Sequence, residues 1–189
     1  MYFRVPAILF ALSLPLAAVA DEFTVHLEEA EAAYLAGDLK GAAAKIGAAN
    51  SYLGKVKADL LNALMPAAPD GWTQTINTEY AATLAMAGGG TGAEARYDGP
   101  DGQSVTVGVV MESPLTAMMM SMFGNAQMLA MMGKTVEVGG VTLLDQENSL
   151  VTVLDQRIMV TFNGSSTAQL LPFAEAVDFE ALASFDSPK

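Results

Sequence analysis

The spacing of the apolar residues changes once along this chain, across residues 65–72 (MPAAPDGW), and that change limits the fold more than any other feature. Before it, Leu39, Ala42, Ala43, Ile46, Ala49, Leu53, Val56, Leu60 and Leu64 recur about every 3.6 residues, the rhythm of a helix. After it the period is two. Tyr80, Ala82, Leu84 and Met86 alternate with Ala81, Thr83 and Ala85, and Val105, Val107, Val109 and Met111 with Thr106, Gly108 and Val110. Ile158, Val160 and Phe162 alternate with Met159, Thr161 and Asn163. Pro66 and Pro69 end the helical regime, and Asp70-Gly71 turns the chain. The pattern predicts an α+β protein in which a helical hairpin over 21–65 precedes an antiparallel-sheet domain over 66–189.

Within the hairpin, residues 21–38 carry six acids and no Lys or Arg, whereas Lys40, Lys45, Lys55 and Lys57 face a single acid, Asp59, over 39–65. Helices of opposite charge attract when folded back on one another. Gly37 is placed to stop the first helix and Asp38 to cap the second.

In the second part, turn chemistry separates the strands at 88–92, 98–102, Gly139-Gly140 and Asn163-Gly164. The segments VTLLDQ (141–146) and VTVLDQ (151–156) echo each other and read as neighbouring strands. The expected order is hairpin, three strands, a Met-rich helix, three or four strands and a C-terminal helix, in a mostly antiparallel sheet with helices covering one face.

Two resemblances follow from these residues. Gly37, Asp38, Leu39, Ala42, Ile46 and Ala49 resemble the turn and second helix of one tetratricopeptide repeat, which implies an alanine-packed hairpin and not a peptide-binding array. Over 66–185, the proline and Gly-Trp opening, the helix inserted in the sheet and the closing helix resemble the PsbP-like α/β sandwich of small exported proteins. The Pro-Ala-Ala-Pro-x-Gly-Trp opening also resembles a bacterial secreted family of unknown function. Both imply a fold and carry no active-site motif onto any position here.

Residues 1–20 (MYFRVPAILFALSLPLAAVA) have the three parts of a signal peptide: Arg4, an apolar run from Val5 to Leu16, and Ala18-Val19-Ala20 as the cleavage site. The mature chain is expected to start at Asp21 and to be periplasmic or secreted, without a membrane anchor. Loss of Arg4 takes the formal charge from −12 to −13. Such a surface repels phosphate backbones, so nucleic acid is not an expected partner. The chain has no Cys, which removes thiol catalysis and thiolate metal sites.

No catalytic constellation stands out. His26 is the single His and has no visible partner for general-base work. Ser165 and Ser166 lack nucleophile-elbow spacing. The glycines of 87–93 (AGGGTGA) lack the Lys-Ser/Thr of a phosphate loop, and the acids of 98–102 (DGPDG) are too few for a calcium loop. No cofactor and no metal site is expected, and the chain is read as a non-enzyme.

Residues 113–134 hold seven of the twelve methionines. Ser113 and Pro114 suit a helix start. Leu115, Met118, Met119, Met122, Phe123, Ala126, Leu129 and Ala130 gather on one face, expected against the sheet. The other face holds Ala117, Met120, Ser121, Gly124, Gln127, Met128, Met131 and Met132, and no charge occurs from Ser113 to Gly133. Three arrangements account for that second face: a helix covered on both sides, an adaptable patch for an apolar ligand or another exported protein, or thioethers for Cu(I). The adopted reading is an exported accessory protein that binds an apolar small molecule or partner. It does so through Met120, Gln127, Met128, Met131 and Met132, or in the groove between this helix and the hairpin. Copper handling, and an enzyme of unrecognised type, stand as alternatives.

Overall fold

The computed structural model describes residues 21–123, 129 and 131–186, without the side chains of Leu115, Met120, Ser121 and Met122. The signal-peptide expectation for 1–20 lies outside the described residues. The protein is α+β and divides into two compact units, Met1–Asn50 and Ser51–Lys189.

In the first unit, Asp21 Oδ1 accepts the Thr24 N–H at 2.9 Å and so caps α1 (Glu22–Leu35). The helix ends where Gly37 adopts φ +79°, with Gly37 N–H bonded to Tyr34 O and Asp38 N–H to Ala33 O. That is a Schellman stop, which a side chain with a Cβ resists. Asp38 Oδ1 then accepts the Gly41 N–H at 2.8 Å and opens α2 (Leu39–Asn62). Lys45 Nζ lies 2.7 Å from Glu29 Oε2, the charge pairing expected between the two helices. The apolar face differs from expectation. Ala42 and Ala49 are buried, but Leu39 and Ile46 are 66% and 49% exposed. Alanine is small enough to sit where backbones approach, and the longer side chains beside that stripe remain in solvent.

The second unit begins with the last turns of α2, whose Leu61 is fully buried and joins Met65 in the main core. A seven-stranded sheet follows: β1 (Thr73–Ile76), β2 (Thr91–Asp98), β3 (Ser104–Met111), β4 (Lys134–Val138), β5 (Val141–Asp145), β6 (Ser149–Leu154) and β7 (Ile158–Asn163). The order is β1-β2-β3-β7-β6-β5-β4 and every pairing is antiparallel. Gly139 and Gly140, at φ +57° and +79°, form the two-residue turn between Val138 and Val141, the primed geometry that matches strand twist.

One face of the sheet carries the main core. Val105, Val107 and Val109 of β3, Tyr97 of β2 and Phe162 of β7 pack with Leu170 and Phe173 of α5 (Thr167–Glu175) and Leu182 of α6 (Phe179–Ser184). Tyr97 Oη donates to Pro66 O at 2.6 Å, and its ring lies 4.9 Å from Phe173, which meets Trp72 edge-on at 5.0 Å. The Pro-Gly-Trp segment is thereby fixed to the sheet. Each fully buried ring of this kind contributes about 1.5 to 3 kcal/mol.

Three expectations are corrected. Residues 80–86 form a helix, α3 (Tyr80–Met86), and the first strand is the shorter Thr73–Ile76. Four alanines in and around YAATLAMA favour the helix, and Tyr80 and Leu84, one turn apart, reach the sheet together. Gly92 and Gly108 leave room for them: a Cβ on Gly92 would lie 2.7 Å from Leu84 and 3.2 Å from the Tyr80 ring. Helices cover both faces of the sheet, since α3 and α4 (Pro114–Phe123) pack Tyr80, Leu84, Met119 and Phe123 on Val110, Val151 and Met159. The closing helix is two, because Asp178 Oδ1 accepts the Ala181 N–H at 2.8 Å and starts α6. Among the described residues no helix is long and apolar enough to cross a membrane.

Candidate functional site

Two open clefts lie in the second unit. The larger, about 730 Å³, is bordered by Met132, Lys134, Asp145, Glu147, Ser166 and Thr167. Three of its polar residues, Asp145, Glu147 and Thr167, are bonded to one another. Asp145 Oδ1 accepts Thr167 Oγ1 at 2.7 Å and Glu147 N–H at 2.9 Å, and these two bonds, in that order, hold its carboxyl below the ordinary range. The arrangement fastens the β5–β6 turn, where Glu147 adopts φ +68°, to the start of α5. It reads as a structural knot.

The second cleft, about 620 Å³, has another origin. Strands β5 and β6 pair only through Leu144↔Val151 and Asp145↔Leu150, although β5 pairs with β4 along its whole length. Towards Val141 and Leu154 the β5–β6 seam is open. There Thr152 Oγ1 donates to Thr142 O at 2.9 Å, so a hydroxyl takes the carbonyl that a main-chain N–H takes in a continued ladder. The cleft lies at this opening, between Val141 and Thr142 on one strand and Thr152, Val153 and Leu154 on the other. Phe123, the last residue of α4, and helical Leu129 form its helix side. Thr135, Gly140 and Asp155 complete the rim. The cleft combines apolar side chains with three hydroxyls and one carboxylate, a mixture that a small-molecule site also uses.

Of the five residues expected to bind, Met131 and Met132 are the two whose side chains are described. Met131 is 88% exposed, whereas Met132 is half-buried and borders the polar cleft. The side chain of Met120, and Gln127 and Met128 altogether, lie outside the described residues, as do Ala126, Ala130 and a break at Gly124-Asn125. On the face assigned to the sheet, Met119 packs as expected, but Met118 is 64% exposed. α4 meets β6 and β7 through Met119 and Phe123, four residues apart on one helix face.

His26 does have a neighbour. Its Nδ1 lies 3.4 Å from Glu29 Oε2, whose carboxyl is held low first by Lys45 and then by His26. Glu29 is exposed and His26 and Lys45 are half-buried, and together they form a surface ion cluster. Among the described residues no three His, Cys, Asp or Glu side chains are grouped to hold a metal ion.

The seam residues were missed. Their signal was the echo itself: VTLLDQ and VTVLDQ supply Val141, Thr142, Thr152, Val153, Leu154 and Asp155. Two adjacent strands that place threonines at matching positions offer side-chain hydroxyls that compete with a regular ladder.

The chain matches no family model, no curated protein and no solved structure.

Proposed function

We propose that this chain is an exported, non-enzymatic accessory protein that holds an apolar small molecule in the cleft at the open β5–β6 seam, beside the Met-rich helix. The supporting observation is the coincidence of three features at one place. The sheet ladder stops after two residue pairs, the opening is lined by Val141, Val153 and Leu154, and Phe123 at the end of α4 and helical Leu129 border it. Export rests on the three-part pattern of 1–20, and the PsbP-like resemblance of 66–185 belongs to the same proposal.

Nile red, a neutral apolar dye, tests the reading. One saturable site is expected, lost in Thr142→Trp while the unfolding curve is unchanged. Thr142 is exposed on the cleft wall, so an indole there fills the hollow without entering the core. Undiminished dye binding by Thr142→Trp, or the absence of saturable binding to the parent, contradicts it.

A further inference from the structure

We infer that the ligand of the seam cleft is a cationic amphiphile, an alkyl chain carrying an ammonium head, with Asp155 at the rim reading the charge. This rests on the proposed function above and names the chemical class for the same cleft. Among the described residues that line it, Asp155 is the single charged side chain, and the others are apolar, glycine or threonine.

Asp155 is held in place from both sides. It sits at φ +48° in the β6–β7 turn, beside Gln156 at φ +52°, and the turn is closed by Arg157 N–H to Leu154 O at 2.9 Å. Arg157, the neighbouring cation, divides its donors between Asp155 and the main chain. Its guanidinium donates to Ala183 O at 3.0 Å and Phe185 O at 3.2 Å, and meets Asp155 Oδ2 only at 3.3 Å through Nε. Arg157 does not line the cleft, and the Asp155 side chain is 64% exposed. An ammonium head at the rim therefore meets a carboxylate shared with Arg157, and a chain below it meets Val153, Phe123 and Leu129, with the Val141 and Leu154 side chains packed into the main core. A carboxylate head meets the reverse: no cation on the lining, and a chain of formal charge −12.

The test uses the full chain with Nile red in the cleft, displaced by dodecylammonium, dodecanol or dodecanoate below their micelle concentrations. Dodecylammonium is expected to displace the dye at about fivefold lower concentration than dodecanol, the effect of one partly exposed charge pair, and dodecanoate to be the weakest. Asp155→Asn should bring the ammonium-to-alcohol ratio close to one and leave dodecanol unchanged. Asparagine tolerates the left-handed backbone, so the turn is kept. Displacement by dodecanol with no advantage for the ammonium, or dodecanoate equal to it, overturns the charge assignment and leaves the apolar cleft standing. An ammonium preference that survives in Asp155→Asn also overturns it, because the preference then arises from the net charge of the chain. Displacement by none of the three removes the cleft reading itself.

Discussion

Thr152 Oγ1 donates to Thr142 O across 2.9 Å at the point where the main-chain ladder between their strands has ended. Thr152 is only 2% exposed, so this bond is made in a nearly dry place. Thr152→Val keeps the shape and removes the donor, leaving the Thr142 carbonyl with less compensation. The expected loss of stability is about 1 to 2 kcal/mol, measured by urea unfolding. Nile red affinity should shift as well, because the bond sets the width of the opening.

Gly99 lies beneath Trp72. A Cβ at Gly99 would approach the indole to 2.6 Å, with two further ring atoms at 2.7 Å. Gly99→Ala should therefore cost about 1 to 3 kcal/mol by overpacking. Because Trp72 is the single tryptophan, its emission reports the displacement directly. A stable variant with unchanged emission would show that the ring is not fixed there.

Burial pushes the Tyr97 hydroxyl up to about 12 from an ordinary 10, against the smaller opposing effect of the Gln74 amide. Between these values the unfolded chain has lost a proton that the folded chain keeps, so stability falls as pH rises. The contribution is complete below pH 10. Its loss amounts to about 2 kcal/mol by pH 12. Tyr97→Phe should flatten this alkaline decline, read from unfolding midpoints at pH 9 to 12, relative to its own midpoint at neutral pH. A parallel decline in both proteins would assign the alkaline loss to other groups.

The methionines of the segment 113–134 separate by contact. Met119 packs on Val110, Val151 and Met159, so Met119→Ala should cost about 2 kcal/mol through lost burial and a residual void. Met118 and Met131 are largely in solvent, and alanine at either should leave stability within about 0.5 kcal/mol of the parent. Equal losses at all three would mean the exposed methionines are covered in solution.

The architecture was legible where local chemistry and tertiary packing agree. Gly37 and Asp38 stop and start helices by their own backbone and side-chain bonds, and Gly139-Gly140 makes a two-residue turn. Val105 to Met111 alternates because one face of β3 meets the core. Residues 80–86 misled because alanine fits either period, and only the contact of Tyr80 and Leu84 with the sheet decides between them. The hairpin face misled for a similar reason: periodicity groups Leu39 and Ile46 with Ala42 and Ala49, and only packing shows that the alanines are the buried members. The cleft was illegible for a different reason. It depends on where a ladder stops, and strands β5 and β6 each read as regular strands when taken alone.

Methyl NMR of valine- and leucine-labelled protein titrated with dodecanol tests the central claim most directly. The account predicts shifts concentrated on Val141, Val153 and Leu154 at the open seam, with Leu129 on its helix side. Shifts confined to Leu39, Leu53 and Leu60, or spread evenly over the exposed methyl groups, would contradict it.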